Sequence, residues 1–119
     1  MMTEIIGSKD CGNSPRNRFA QHVAITLETG RIEAGTVSDA VIWQRPTGAV
    51  VQGFVALDQA LAGGTACKSV TVGHAISHGR TGMACGETVL SDGTRRRFCH
   101  VFEYTNTKGN CVAVIKTYT

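Results

Sequence analysis

The sequence predicts a single α+β domain in which three N-terminal helices pack on one face of a strongly curved, mostly antiparallel sheet. Two observations carry that expectation. Apolar residues recur at helical spacing through much of the first half, whereas after Ala66 strand-like segments are separated by turn clusters. Helices grouped first and strands grouped last define the class. The 119 residues are enough for one core and leave no room for a second domain, so 1–119 reads as one domain.

Residues 1–13 carry Gly7, Gly12 and Asn13 without sustained periodicity and read as a flexible or locally packed lead-in. Ser14-Pro15 then gives a helix start: the hydroxyl accepts from an orphan N–H, and proline stands where a missing N–H costs nothing. Phe19, Val23 and Leu27, with Ala20 and Ala24 beside them, form the apolar stripe, and Gly30 ends the helix. Arg16, Gln21 and Glu28 fall on the face expected to meet solvent. Ile32, Ala34 and Val37 are assigned to a short second helix.

The run 40–44 (AVIWQ) is apolar and β-branched and is closed by Arg45-Pro46 and Gly48, so it reads as a strand entering a turn, with 49–52 pairing back on it. Gly53 leads into a third helix, in which Phe54, Leu57, Ala60 and Leu61 share a face and Gly63-Gly64 mark the end. The strands are expected near 67–78, 81–90, 95–105 and 111–118. Turns at Gly79-Arg80, Asp92-Gly93 and Thr107-Lys108-Gly109 separate them.

An apolar fraction of 42% and a charged fraction of 18% describe a chain that folds. The net charge of +3 is mild, and the one basic run, Arg95 to Arg97, points to alternating strand faces, so no nucleic-acid partner is expected. Five cysteines without a C-x-x-C pair argue against a disulfide framework and against a metal site of zinc type, and no cofactor is called for. The N-terminus lacks the pattern of a secretion signal and no segment reaches membrane-spanning length, so a cytoplasmic protein without a membrane partner is expected.

The order of an S-P helix start, a short helix, the AVIW strand, a P-x-G turn, a G-F-x-A-L helix and a four-stranded meander resembles the nuclear transport factor 2-like superfamily. SnoaL-like cyclases and steroid Δ-isomerases are members. The resemblance runs from about residue 14 to Tyr118 and rests on SDAVIW, Gly53, SHG, SDGT and the F-x-Y hairpin. It implies a cystatin-like cone whose cavity lies between the concave sheet face and the helices, and a homodimer formed through the outer sheet face. It places Trp43 and Gln44 at the cavity mouth.

Strand parity suggests what lines that cavity. With two-residue turns at Gly79-Arg80 and Asp92-Gly93, Ile76 faces Met83, His74 faces Cys85, Cys85 faces His100 and Glu87 faces Phe98. Phe98, His100, Phe102 and Tyr104 alternate with charged and small residues and form the concave set. Val112, Val114, Lys116 and Tyr118 share a face of the last strand, which brings Lys116 beside His100. The expected site is therefore His74 and His100 as acid–base or hydrogen-bonding groups. Trp43, Gln44, Cys85, Glu87, Phe98, Phe102, Tyr104 and Lys116 shape a small-molecule pocket around them.

By resemblance His100 falls where the isomerases place an oxyanion-binding aspartic acid, while their catalytic aspartate falls on Gln44 or Arg45 and their helix-one tyrosine near Val23. Neither Gln44 nor Arg45 abstracts a proton at neutral pH, so the usual isomerase machinery is missing. Catalysis would then rest on His100 or His74, with Glu87 as the orienting partner. Two functions follow: a SnoaL-like protein acting as isomerase, cyclase or dehydratase on an apolar carbonyl compound, or a non-catalytic dimeric interaction domain with a filled cavity. A metal held by His74, Cys85 and His100, or a nucleophilic Cys85, needs the same strand register and is not the expected reading.

Overall fold

The computed structural model describes residues 3–64 and 66–119. Its first helix, α1 (Pro15–Thr29), is punctuated as its sequence predicts. The Ser14 hydroxyl accepts from Asn17 N at 3.2 Å, Pro15 opens the first turn, and Gly30 ends the helix at φ 78°, a left-handed conformation that suits glycine. Ala20, Val23, Ala24 and Leu27 are buried against the sheet. The second helix, α2 (Phe54–Ala62), follows Gly53, whose φ of 93° turns the chain out of the preceding strand and lets its N–H donate to Val41 O at 2.7 Å.

There are two helices among the described residues, where the sequence predicted three. The intended second helix is broken at Gly35 (φ 92°), and the chain enters an eight-residue strand, β2 (Val37–Gln44), with Val112 N donating to Thr36 O. Backbone pairing with a distant strand overrides the local spacing of Ile32, Ala34 and Val37. The lead-in is likewise not loose: Glu4–Ile6 form a short strand, β1. The other strands are β3 (Val50–Gln52), β4 (Cys67–His78), β5 (Thr81–Leu90), β6 (Arg95–Tyr104) and β7 (Val112–Tyr118). They build one curved seven-stranded sheet in the order β1-β4-β5-β6-β7-β2-β3. The pairs β1/β4 and β2/β7 are parallel and the rest antiparallel.

Three single-residue offsets decide which side chains face the helices. Between β4 and β5, Val72 pairs with Gly86 but His74 pairs with Cys85, so Gly73 is an extra residue. Between β5 and β6 the turn has three residues, Ser91 to Gly93. Leu90 N donates to Thr94 O at 2.8 Å, Gly93 N donates to Leu90 O at 2.9 Å, and Gly93 has φ 89°. Between β6 and β7, Tyr104 pairs with Val112 and Glu103 with Val114, leaving Ala113 unpaired. Because side chains alternate with period two, each offset inverts the parity of one strand relative to its neighbour.

The face toward the helices therefore carries Val70, Val72 and Ala75 of β4, Ala84 and Thr88 of β5, Phe98, His100, Phe102 and Tyr104 of β6, and Val112, Ile115 and Thr117 of β7, all buried. The polar side of α1 is used as well. Arg16 donates to the carbonyls of Gly79 and Thr107, Gln21 accepts from Ser8 N at 2.7 Å, and Glu28 is buried over β5 and β6. None of these three side chains is left to solvent in the way the helix pattern suggested. Among the described residues no helix is long and apolar enough to cross a membrane.

Candidate functional site

His100 projects from mid-β6 between two rings of its own strand face. Its imidazole is stacked 5.2 Å from Phe98 and 6.4 Å from Phe102, centroid to centroid, and is 1% exposed. A ring so enclosed needs partners for both nitrogens. Nε2 lies 2.7 Å from Glu28 Oε2, and Nδ1 lies 2.7 Å from Thr117 Oγ1. Trp43 Nε1 donates to the same hydroxyl at 2.8 Å. Glu28 Oε1 accepts from Thr88 Oγ1 at 2.7 Å and from an Arg96 nitrogen at 3.0 Å.

The result is one unbroken relay, Trp43–Thr117–His100–Glu28, braced by Thr88 and Arg96. Its hydrogen bonds are complete with a neutral ring: indole N–H to Thr117 oxygen, Thr117 O–H to Nδ1, and Nε2–H to the carboxylate. Burial pushes the Glu28 carboxyl up. The hydrogen bonds from His100 and Thr88, with the Arg96 charge, more than offset this and hold the group below its ordinary 4.5. Glu28 thus stays a carboxylate at neutral pH and accepts a hydrogen bond from His100 Nε2. This is the logic of a carboxylate–histidine–hydroxyl triad.

The relay forms the floor of a pocket of about 540 Å³ between the C-terminal turns of α1 and α2 and the sheet. Leu27, Ala60 and Leu61 supply apolar wall, Trp43 and Thr117 supply the base, and Arg96 and Arg45 stand at its side. The Arg45 guanidinium lies 4.8 Å from the Trp43 ring centroid.

Of the residues expected in the site, Trp43, His100, Phe98 and Phe102 are brought together. The others lie elsewhere. His74 is on the outer side of the Gly73 bulge, exposed, with Nδ1 3.0 Å from Asp10 Oδ2. Cys85 and Glu87 face away from the helices, because the three-residue turn pairs Ala84, not Cys85, with His100; Glu87 is bonded to Arg95 at 2.8 Å. Lys116 points outward to Glu103 at 3.0 Å, because the Ala113 bulge gives its expected place to Thr117. Gln44 is exposed and lines a separate hollow of about 280 Å³. Tyr104 is on the inner face, but its hydroxyl is 2.5 Å from Ser77 Oγ, outside the relay. His74, Cys85 and His100 therefore do not converge on one ion.

Sequence reasoning missed Glu28, Thr117, Thr88, Arg96 and Arg45. Glu28 carried one signal: it follows the buried Leu27 in the last helical turn, where a carboxylate faces the unfavourable end of the helix dipole and needs compensation.

A curved sheet covered on one face by two helices, with a polar-floored pocket between the layers, is the nuclear transport factor 2-like fold. Solved structures of that fold match the chain. One is an NTF2-like protein of unknown function from Mesorhizobium loti, 14% identical, with a TM-score of 0.65 over 95% of this chain and 98% of that one. Another is a provisionally named ketosteroid isomerase from Kribbella flavida DSM 17836, 15% identical, with a TM-score of 0.69 over 87% and 76%. A third is TerC co-crystallised with polyporic acid, 16% identical, with a TM-score of 0.62 over 86% and 89%. No protein-family model and no curated protein matches the sequence.

Proposed function

We propose that the chain binds a small, largely apolar carbonyl compound in the Trp43–His100 pocket and moves a proton at its polar end, as an isomerase, cyclase or dehydratase does. The observation that carries this reading is the 2.7 Å contact of His100 with both Glu28 and Thr117 at the floor of an open pocket. The Thr117 hydroxyl takes a proton from the ligand while passing its own to His100 Nδ1. The imidazolium that results is stabilised by Glu28, and return of the proton to a second position completes an isomerisation or expels water. Arg96 and Arg45 favour the negative charge that develops on a ligand oxygen. The co-crystallisation of one protein of this fold with an acidic small molecule supports the ligand class. A pocket of this volume favours ligand binding over an interaction domain whose cavity is filled by its own side chains.

The test uses Trp43, the single tryptophan, as reporter. A panel of aryl ketones is titrated against its fluorescence, and exchange of the ketones' α-protons is followed by NMR in deuterated buffer. The expected result is saturable quenching by a subset of the panel and catalysed exchange that His100→Gln abolishes. Quenching without exchange leaves a binding protein; neither signal removes the proposal.

A further inference from the structure

The outer sheet face carries a second arrangement of reactive groups, unconnected with the pocket. Cys85 of β5 and Cys99 of β6 are directly opposite one another, and each is partly accessible. Opposed residues of an antiparallel pair alternate between hydrogen-bonded and non-hydrogen-bonded positions, and the latter hold their Cα atoms closer, at about 4.5 Å. The turn sets the phase here. Leu90 N bonds to Thr94 O, and Tyr104 N bonds to Arg80 O ten positions further along the same ladder, an even spacing, so Thr88–Arg96, Gly86–Phe98 and Ala84–His100 are the hydrogen-bonded pairs. Cys85–Cys99 lies between two of them, in the close class. A disulfide needs Cα atoms about 4.4–6.8 Å apart with both side chains on one face, and a directly opposed pair of the close class lies at the short end of that range with both cysteines on the outer face.

We infer that Cys85 and Cys99 form a reversible cross-strand disulfide by exchange with a low-molecular-weight disulfide such as oxidised glutathione. In the first step the Cys85 thiolate attacks the small disulfide, forming a mixed disulfide and releasing one small thiolate. Cys99 then loses its proton, and its thiolate attacks Cys85 Sγ and displaces the second small thiolate. Two protein thiols are oxidised and one small disulfide is reduced to two thiols. Burial and the neighbouring Cys85 push the Cys99 thiol up, so less of it is thiolate and its step relies on being intramolecular. Cys99 adjoins His100 and Cys85 adjoins Ala84, the partner of His100, so the bridge would clamp β5 to β6 directly behind the relay.

The reduced protein is incubated with oxidised glutathione, quenched in acid, and analysed by intact mass and peptide mapping. The expected product is a monomer lighter by about 2 Da, the two hydrogens lost, in which the peptides containing Cys85 and Cys99 are linked, and reducing agent restores the starting mass. Cys85→Ser and Cys99→Ser should each instead retain a glutathione adduct on the remaining thiol, since no neighbour displaces it. A bridge involving Cys11, Cys67 or Cys111, a disulfide-linked dimer through Cys85 or Cys99, a stable adduct on the wild type, or no reaction would each overturn the inference. The mapping on wild type decides the matter even if neither variant folds.

Discussion

Glu28 Oε2 lies 2.7 Å from His100 Nε2 across 72 positions of sequence, the last helical turn of α1 meeting the middle of β6. The pair is buried, with side chains 6% and 2% exposed. A carboxylate in that position has to be compensated, and Arg96, Thr88 and His100 together do so.

Glu28→Gln should therefore cost about 2 kcal/mol at neutral pH, the scale of a hydrogen bond to a charged group. The pH dependence follows from the lowered carboxyl. The unfolded chain takes up the Glu28 proton near the ordinary 4.5, whereas the folded chain resists until a lower pH. The stability this group contributes is fully present above about 4.5 and disappears as pH falls through the lower, folded value. Urea unfolding of wild type and variant between neutral pH and acid should show the two curves converging in that window.

Thr117→Val removes the one oxygen that serves both Trp43 Nε1 and His100 Nδ1. Two buried polar groups lose their partner at little change in shape, so a loss of about 2 kcal/mol or more is expected. Thr117→Ser keeps the hydroxyl and should lose less than half of that, and it should retain the proton exchange that the valine variant lacks. Denaturant midpoints and the exchange assay read the two effects separately.

His100→Phe preserves the stack with Phe98 and Phe102 but strips the carboxylate of its principal partner. The expected cost is about 3 kcal/mol, the penalty of an uncompensated buried charge. The double variant His100→Phe, Glu28→Leu removes that charge and should recover most of the loss. A double-mutant cycle in thermal unfolding measures the coupling, and near-additive losses would show that the two side chains do not interact.

Gly86→Ala tests the bulge that turns His74 away from the pocket. A Cβ at residue 86 would lie 1.9 Å from the backbone oxygen of Thr71, whereas one at Gly73 would lie 3.6 Å from Cys85 O, an ordinary contact. Gly86→Ala should cost upwards of about 3 kcal/mol or leave the chain unfolded, and Gly73→Ala should be tolerated within about 1 kcal/mol. Circular dichroism melts of the two variants side by side give the comparison.

Much of the fold was legible in the residues because the signals were local. Ser14-Pro15 and Gly30 bound α1, Gly53 and Gly63 bound α2, and Phe98, His100, Phe102 and Tyr104 alternate in a strand whose inner face needs no neighbour to identify it. The short helix proposed for Ile32 to Val37 was lost because a parallel pairing with β7, remote in sequence, claimed Val37 and the residues after it. β1 was missed because three residues of exposed strand leave almost no periodicity to read.

The site divides along the same line. The residues alone determined that β6 presents His100 between two phenylalanines on the covered face, and that Trp43 ends a strand beside a Pro-Gly turn. Which groups touch His100 was decided by tertiary structure. Side chains alternate with period two, so the single extra residues at Gly73, in the Ser91–Gly93 turn and at Ala113 exchanged His74, Cys85, Glu87 and Lys116 for Ala75, Ala84, Thr88 and Thr117. Glu28 came to His100 because packing α1 on the sheet rotates a polar position of the helix inward, and a buried imidazole makes that position favourable for a carboxylate.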